Sequence, residues 1–228
     1  MTKAIVITEN GGPEVLKLTE VSVAAPGSGE IRLKQSAIGV NFLDTYHRSG
    51  LYKMPLPLTP GMEAVGTVTA VGDGVSGLQI GDRVAYANGP IGAYAEERVI
   101  PVRAVVKIPT DLKDEQVAGM MLRGLTVWYL LRSLHYVPKR GDTVLFHAAA
   151  GGVGLIFGQW ARDLGLNVIG TVGSESKVAL AKKAGYQHVI LYRDQDWVKQ
   201  VRDITGGQGV PVVYDGVGKD TFLSSLDC

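Results

Sequence analysis

The feature that most constrains this chain is the run from Thr143 to Gly154, which reads TVLFHAAAGGVG. Strand-forming residues give way to small residues and then to glycines, and residues 155–164 follow with the apolar spacing of a helix. This order predicts a strand, a tight turn and a helix. Glycine at such a turn lets the backbone approach a phosphate, and the start of the helix directs unpaired N–H groups toward it.

The turn departs from the usual dinucleotide-binding pattern G-x-G-x-x-G at one position, because Ala149 stands where the first glycine is expected. A small residue there keeps a tight turn plausible. A glycine-rich turn between a strand and a helix is also often only a turn, so the motif depends on its context. The candidate phosphate-binding residues are Ala150, Gly151, Gly152, Val153 and Gly154.

Three further apolar runs follow the turn, at residues 167–173, 188–192 and 210–215, with helical stretches between them. Strands that alternate with helices predict a parallel sheet with right-handed crossovers. The second half of the chain is therefore predicted to be an α/β, doubly wound Rossmann domain.

Residues 1 to about 120 contain short alternating segments broken by Gly and Pro, which predict a small, irregular, partly open β-barrel. A chain of 228 residues also favours two domains, here residues 1–120 and 121–228. The longest helical stretch is residues 114–131. The predicted strands of the first domain are Ala4–Thr8, Leu16–Val23, Glu30–Ile38, Ala64–Val71, Arg83–Ala87 and Ala93–Ile100.

Polar and aromatic residues are closely spaced between residues 39 and 52. One interpretation is a short surface helix that packs Phe42 and Leu43 inward. The other is a segment lining a cleft, with Asn41, Tyr46 and Tyr52 turned toward a ligand. The spacing alone does not separate these two interpretations.

The residues after the second strand of the α/β domain bear on the choice of dinucleotide. An NAD enzyme needs an acidic side chain at the strand tip, where this chain has Thr171 to Ser174. Ser174 can instead donate to a 2′-phosphate with Lys177 one turn further on, and Glu175 is expected to point to solvent. Tyr192 and Arg193, which end the third strand, can close on the adenine side. Lys177 could equally be a solvated helix residue. The pattern favours NADPH over NADH.

Composition removes several classes of function. The formal net charge of +1 argues against strong binding to nucleic acid or to an anionic membrane, and no apolar run has the length of a membrane span. The single cysteine, Cys228, allows neither an intrachain disulfide nor a cysteine-based zinc site. The apolar run at the N-terminus is too short for a signal peptide, which makes the cytoplasm the expected location.

With these residues in view, the chain resembles the zeta-crystallin type of quinone oxidoreductase, within the medium-chain dehydrogenase/reductase superfamily. The resemblance implies a GroES-like first domain, a Rossmann domain, NADPH as cofactor, quinone or a conjugated carbonyl as substrate, and a homodimer for the full-length protein. The motifs that carry it are Asn41–Tyr46, Arg48–Tyr52, Thr59–Gly66, Gly81–Val84, Gly124–Thr126, His147–Gly154 and Val213–Gly218.

The resemblance also implies roles for individual residues. It places Asn41, Tyr46, Tyr52 and Thr126 at the nicotinamide cleft, with Asn41 and Thr126 also contacting the cofactor. The turn at 150–154 would hold the pyrophosphate. The remaining cofactor-binding residues would be Gly173, Ser174, Lys177, Tyr192 and Val217.

Zinc-dependent relatives carry Cys near Asn41 and His just before Glu63, where this chain has Asn41 and Met62. A zinc site needs three or four converging ligands, so the chain is predicted to bind no metal. The sequence also ends inside the helix predicted after the fourth strand. We therefore expect it to be a C-terminally truncated part of a longer protein, and the truncated chain could be inactive.

Two alternatives remain open at this point. One is a reductase of enones or enoyl thioesters on the same scaffold, which the motifs do not separate from quinone chemistry. The other is a crystallin-like protein that binds NADPH or RNA without relevant turnover.

Overall fold

The computed structural model describes residues 1–193 and 196–228. The chain divides into two compact units, Met1–Leu122 and Arg123–Cys228, and each is treated by itself. No helix of the described part of the chain combines the length and apolarity that crossing a bilayer requires.

The first unit is built from β-strands, one short α-helix, two 3₁₀ turns and the first turns of a longer helix. An antiparallel hairpin precedes a five-stranded antiparallel sheet with the order β6-β3-β4-β5-β7. The elements are β1 (Thr2–Val6), β2 (Lys17–Val21), β3 (Glu30–Gly39), α1 (Phe42–Ser49), β4 (Glu63–Val71), β5 (Arg83–Ala87), β6 (Glu97–Pro101) and β7 (Val106–Lys107).

Alternation along β3 gives the first unit its core. Ile31 and Leu33 are fully buried, and they belong to one apolar cluster with Tyr86 and Ile100. The pairing of β3 with β4 shifts register twice, between Arg32 and Leu33 and between residues 35 and 37. Such irregularities increase strand bending and are typical of the curved sheet of a partly open barrel.

The predicted strand Ala93–Ile100 is shorter in the structure, where β6 covers Glu97–Pro101. The residues before it make other hydrogen bonds. The Tyr94 N–H donates to the Pro60 carbonyl and the Ala93 N–H donates to the Gly61 carbonyl. The Ile5 N–H also donates to the Tyr94 carbonyl, and the Glu96 N–H to the Lys3 carbonyl. This stretch therefore pairs with a loop and with β1, which the local sequence pattern did not indicate.

The second unit contains a four-stranded parallel sheet with the order β10-β9-β8-β11. Along the chain, a helix follows each strand. The strands are β8 (Thr143–Phe146), β9 (Asn167–Val172), β10 (His188–Leu191) and β11 (Val213–Tyr214). The helices are α3 (Gly152–Asp163), α4 (Val178–Lys183), α5 (Trp197–Ile204) and α6 (Phe222–Ser225), and α2 (Asp114–Arg132) crosses the boundary between the units.

Both faces of this sheet are apolar, as expected for a parallel sheet covered by helices. Val144 and Phe146 of β8 pack in one cluster with Phe157 of α3. On the other face, Leu145 packs in a cluster with Trp197 of α5. The strand order reverses between β8 and β11, and such switch points are where open α/β sheets bind ligands.

The predicted run 210–215 forms only a two-residue strand, β11. Val210 donates its N–H to the Cys228 carbonyl, and Pro211 has no N–H to offer the sheet. Hydrogen bonding outside the sheet thus shortens this strand.

Candidate functional site

The glycine-rich turn joins the end of β8 to the start of α3. Gly151 is the N-cap residue of the helix and has an extended backbone conformation. Among the described residues, no capping side chain accepts a hydrogen bond from the first N–H groups of the helix. A Cβ on Gly154 would lie 2.5 Å from the Ala149 carbonyl oxygen and 2.6 Å from that of Ala148. Because both obstacles are backbone atoms, only glycine fits at position 154. The Arg123 side chain lies beside this helix start, because a Cβ on Gly152 would be 2.8 Å from Arg123 Nε.

Ala149 fills the place of the first glycine in the fingerprint, and the neighbouring strand accommodates it. A Cβ on Gly170 of β9 would lie 2.6 Å from the Cβ of Ala149. Ala149 is fully buried and donates its N–H to the Thr171 carbonyl across 2.9 Å. The methyl group of Ala149 therefore occupies space that Gly170 leaves open, because Gly170 has no side chain.

The tips of β9 and β10 bring together part of the predicted 2′-phosphate site. A Cβ on Gly173 would be 3.5 Å from the Tyr192 ring and 3.7 Å from Arg193 Nε. Arg193 donates from Nε to the Tyr192 hydroxyl across 3.3 Å. Because β9 and β10 pair in parallel, these side chains lie at the same edge of the sheet.

The segment after β9 carries the other two predicted phosphate ligands. Ser174 precedes a short 3₁₀ turn, Glu175–Lys177, and the Lys177 N–H donates to the Ser174 carbonyl. Glu175 and Lys177 are both exposed, so the expectation that Glu175 faces solvent is confirmed. The exposure of Lys177 fits both the phosphate-ligand and the solvated-residue interpretations.

Asp215 organises the loop after β11, a role that the sequence interpretation missed. Its Oδ1 accepts hydrogen bonds from the N–H groups of Val217 and Gly218 and from the Thr221 hydroxyl, each at 2.9 Å. Desolvation raises the pKa of Asp215, but these hydrogen bonds outweigh it and the pKa is lowered overall. The signal available in the sequence was an Asp followed by a glycine-flanked residue at a strand end. The loop that carries Val217 is thus held by hydrogen bonds to Asp215, the residue that follows β11.

A buried histidine links this loop to the centre of the sheet. His147 follows β8, and its Nδ1 lies 2.7 Å from the Thr171 hydroxyl. Its Nε2 lies 3.1 Å from the Ser225 hydroxyl, which also donates to Asp215. Desolvation lowers the pKa of His147, and the Asp215 carboxylate offsets part of this effect. Both ring nitrogens of His147 thus have a hydroxyl partner inside the unit.

In the first unit, α1 exposes one of the two residues that the surface-helix interpretation had packed inward, Phe42, and leaves the other, Leu43, half-buried. Phe42 is 75% exposed, whereas Asp44 and His47 are buried. The ring centroids of Tyr46 and Tyr52 are 5.3 Å apart, and the Phe42 ring lies 5.4 Å from Tyr46. The inward packing of Phe42 is wrong because hydrogen bonds of Asp44 determine how the helix is seated.

Asn41 precedes α1 and contacts a second buried carboxylate. Its Nδ2 donates to Glu63 Oε1 across 2.7 Å, and the Leu122 N–H donates to Glu63 Oε2 at the same distance. Its backbone N–H donates to Asp44 Oδ2, which also accepts from the Tyr94 hydroxyl. Asn41, Tyr46 and Tyr52 thus lie on one segment of the first unit, while Thr126 lies in α2 within the second.

Comparison with known proteins shows to which family this fold and these motifs belong. A family model for the alcohol dehydrogenase GroES-like domain matches residues 27–110, and one for zinc-binding dehydrogenases matches residues 152–228. The quinone oxidoreductases of Pseudomonas aeruginosa and Escherichia coli are each 49% identical to the chain over 229 residues, covering all of it and 70% of their own length. The chain belongs to the quinone oxidoreductase family of the medium-chain dehydrogenases/reductases.

Solved structures of the quinone oxidoreductase family share the fold described above. The structure of E. coli quinone oxidoreductase complexed with NADPH has a TM-score of 0.96 and 49% identity, over 99% of this chain and 69% of that one. A 2-haloacrylate reductase of a Burkholderia species is 50% identical and is also covered to 70% of its length. The predicted GroES-like and Rossmann fold classes are confirmed.

One matching family model is named for zinc, and the residues present do not fit such a site. Asn41 and Met62 stand where zinc-binding relatives would have ligands, and both Glu63 oxygens face N–H donors. Within the described residues, no three His, Cys, Asp or Glu side chains are grouped to hold a metal ion. That this quinone oxidoreductase family member works without metal stays a prediction.

Proposed function

We propose that the chain is an NADPH:quinone oxidoreductase that delivers a hydride to a quinone or a related conjugated carbonyl without zinc. The observation that carries the proposal is its 49% identity, along the whole chain, with E. coli quinone oxidoreductase, whose solved structure contains NADPH. In this proposal residues 1–120 form the substrate and catalytic domain, and residues 121–228 form the NADPH-binding domain.

The turn between β8 and α3 fits a pyrophosphate. Gly151 and Gly152 are exposed, and the first N–H groups of a helix lack intrahelical acceptors. The partial positive charge of the helix start favours a dianion in front of it. Residues Ala150 to Gly154 would hold the pyrophosphate through their backbone.

The sheet edge beyond β9 fits a ribose phosphate better than a ribose hydroxyl. Ser174 supplies a hydroxyl, Lys177 a cation and Tyr192 a phenol, and Gly173 leaves room beside them. No acidic residue stands at the tip of β9 itself, where an NAD enzyme would need one. These residues would hold the adenosine 2′-phosphate, and Val217 would contact the cofactor from the loop that Asp215 fixes.

Neutral donors of the chain would act on the substrate. When bound, NADPH supplies the hydride. Asn41, Tyr46, Tyr52 and Thr126 would orient the substrate and donate hydrogen bonds to the oxygen on which negative charge develops. A quinone is already a good acceptor, so neutral donors suffice for this task. Asn41 and Thr126 would also contact the cofactor.

Calorimetric titration with NADPH and NADH tests the cofactor part of the proposal. We expect NADPH to bind more tightly, and Lys177→Ala to weaken NADPH binding by about tenfold because a hydrogen bond to a charged group is lost. NADH binding should not change. Lys182→Ala, a charge loss at an exposed residue of α4, is the matched control. Equal affinity of the unmodified chain for both dinucleotides would overturn the assignment.

A second candidate function follows from the 50% identity with 2-haloacrylate reductase. That likeness favours reduction of a carbon–carbon double bond conjugated to a carboxyl or carbonyl group. A panel of quinones, enones and 2-haloacrylates assayed with NADPH would separate the two. Faster turnover of a haloacrylate than of any quinone would favour this second function.

Other parts of the proposal concern location and partners. We place the protein in the cytoplasm, as a homodimer in its full-length form, with no nucleic-acid partner. The near-zero formal net charge of +1 supports the last point. Light scattering on the full-length protein tests the dimer. Salt-dependent retention of RNA without NADPH oxidation would instead favour the crystallin-like alternative.

A further inference from the structure

Glu63 is a completely buried carboxylate at the start of β4. Each of its oxygens faces one N–H donor. Oε1 lies 2.7 Å from the side-chain nitrogen of Asn41, and Oε2 lies 2.7 Å from the backbone nitrogen of Leu122 in α2. A buried carboxylate is costly unless it is hydrogen-bonded in this way, so its position is fixed by these two partners.

Gly39, the residue paired with Glu63 across β3 and β4, makes this position possible. A Cβ on Gly39 would overlap Glu63 Oε1 and the Ala118 carbonyl oxygen. The space that glycine leaves empty is the space that the carboxylate fills. Glu63 is therefore held from the strand side as well as by its hydrogen bonds.

The chemistry of the pair determines which way the Asn41 amide faces. Asn41 donates from Nδ2 to Glu63 Oε1, so its NH₂ group, and not its oxygen, faces the carboxyl group. The backbone of Asn41 is fixed separately, because its N–H donates to Asp44 Oδ2 across 2.9 Å. With backbone and amide both held, the second N–H of Asn41 has a defined direction.

We infer that Glu63 is a positioning residue, which orients the amide of Asn41 so that its second N–H donates to the substrate oxygen. This inference rests on the proposed function for its substrate. With Gln at position 63 the amide of Asn41 could face it with either its NH₂ or its oxygen, because a carboxamide both donates and accepts. Only the capping box, in which the Asn41 side chain accepts from the Asp44 backbone N–H, would then orient the amide, while the shape of the site is nearly kept.

NMR of the side-chain amides tests the orientation without any assay. The chain has four Asn residues, of which Asn88 is exposed, and Asn41→Ala identifies the Asn41 signals in protein labelled at Asn nitrogen. We expect one Nδ2 proton of Asn41 to exchange with solvent at least about tenfold more slowly than those of Asn88, because it is hydrogen-bonded. Glu63→Gln should shift the Asn41 signals. Exchange as fast as that of Asn88 would overturn the inference even if Glu63→Gln fails to fold.

The matched control is Glu97→Gln in β6. It makes the same chemical change in the same unit, at a carboxylate on a different strand whose partner is Arg32. Glu97→Gln should leave the Asn41 amide signals unchanged. Signals that respond equally to both substitutions would mean a general structural effect and would overturn the inference.

Steady-state kinetics with NADPH and a quinone then test the positioning role. Glu63→Gln should lower kcat by about tenfold to a hundredfold, the cost of a misplaced group, with less effect on the KM for NADPH. In an Asn41→Ala background the same change should have almost no further effect on kcat. A full effect in that background, or unchanged kcat in Glu63→Gln, would overturn the role. These assays use the full-length protein. If it reduces no quinone, the proposed function fails, and the NMR result still decides the amide orientation.

Discussion

Ala148 lies in the turn after β8 with a φ of 56°, in the left-handed region of backbone space. For a residue with a side chain, this conformation is about 1–2 kcal/mol higher in free energy than the right-handed one. Sequence comparison with the fingerprint directs attention to Ala149, but the unusual backbone conformation is one residue earlier. The strain is therefore local to the turn that is proposed to hold the pyrophosphate.

We predict that Ala148→Gly stabilises the protein by about 0.5 kcal/mol, because relief of the left-handed strain exceeds the entropy that glycine loses on folding. The measurement is the free energy of unfolding in urea. Ala150→Gly is the control, since Ala150 has no positive φ and the change should be destabilising. Equal losses of stability in both variants would contradict the prediction.

A second prediction at this scale concerns His147 and pH. Its pKa is lowered in the folded state, chiefly by desolvation, so the unfolded chain binds a proton more readily. The stability is complete above the unfolded pKa of about 6.5 and falls as the pH drops below it. We expect the loss of stability between about pH 6.5 and pH 5 to be smaller in His147→Gln than in the unmodified protein.

The pH prediction has an internal control. His135 is exposed, so His135→Gln should keep the pH dependence of the unmodified chain. Titration of Asp215 does not contribute to the pH dependence between about pH 6.5 and pH 5. Its pKa is lowered, so its contribution is lost only on the acid side of its ordinary pKa of about 3.9. A pH dependence that survives in His147→Gln would show that another group carries it.

At the scale of elements, the turn, α3 and β9 meet through small residues. Tyr186 donates its buried hydroxyl to the Gly154 carbonyl across 2.8 Å. A Cβ on Gly158 of α3 or on Gly170 of β9 would lie 2.5 Å from the Tyr186 ring. Glycines on two elements thus let one aromatic side chain fix the approach of the helix to the sheet.

We predict that Gly154→Ala destabilises the protein by about 1–3 kcal/mol, as overpacking against fixed atoms does, and weakens NADPH binding. The new Cβ would press on two backbone carbonyls that cannot move without opening the turn. Urea unfolding and calorimetry measure the two effects. Gly119→Ala in α2 is the control, because no atom lies near its added Cβ and alanine favours a helix. A loss of stability in both variants would contradict this explanation.

At the scale of the molecule, apolar surface remains exposed beside β11. Phe222 is 57% exposed, Leu223 77% and Leu226 70%. These residues are close together in and after α6, and Phe222 and Leu226 line a recess together with β11. Exposed apolar surface beside an open strand edge favours association between copies.

We therefore predict that the double change Leu223→Lys and Leu226→Lys lowers concentration-dependent association of this chain, as measured by light scattering. Charges placed on exposed residues should leave the urea midpoint nearly unchanged. Leu180→Lys, at an exposed residue of α4, is the control and should not alter association. Association unchanged by the double substitution would place the contact surface elsewhere.

Local patterns were enough to predict much of the fold. The run from Thr143 to Gly154 predicted a strand, turn and helix, and β8, the glycine turn and α3 are found there. The alternation of strands and helices predicted the parallel sheet. Periodicity and turn chemistry act between residues a few positions apart, so the sequence records them directly.

Predictions at the candidate site were less complete, because its contacts join distant parts of the chain. In the sequence, Glu63 marked only the position just after a missing zinc ligand, although it accepts hydrogen bonds from Asn41, 22 residues away, and Leu122, 59 residues away. Asp215 was only part of a motif, although it fixes the loop that carries Val217. The roles of Asn41, Tyr46, Tyr52 and Thr126 toward a substrate stay predictions.

The sequence by itself determined the order of the elements, the fold class and the glycine-rich turn, since each depends on short-range spacing and backbone preference. Only the tertiary structure decided that Asp44 and His47 of α1 are buried while Phe42 is exposed. It also decided that Ala148 carries the left-handed backbone and that Gly170 makes room for Ala149. The reason is physical: partners of buried polar groups and the fit of side chains across strands are settled when distant segments pack together.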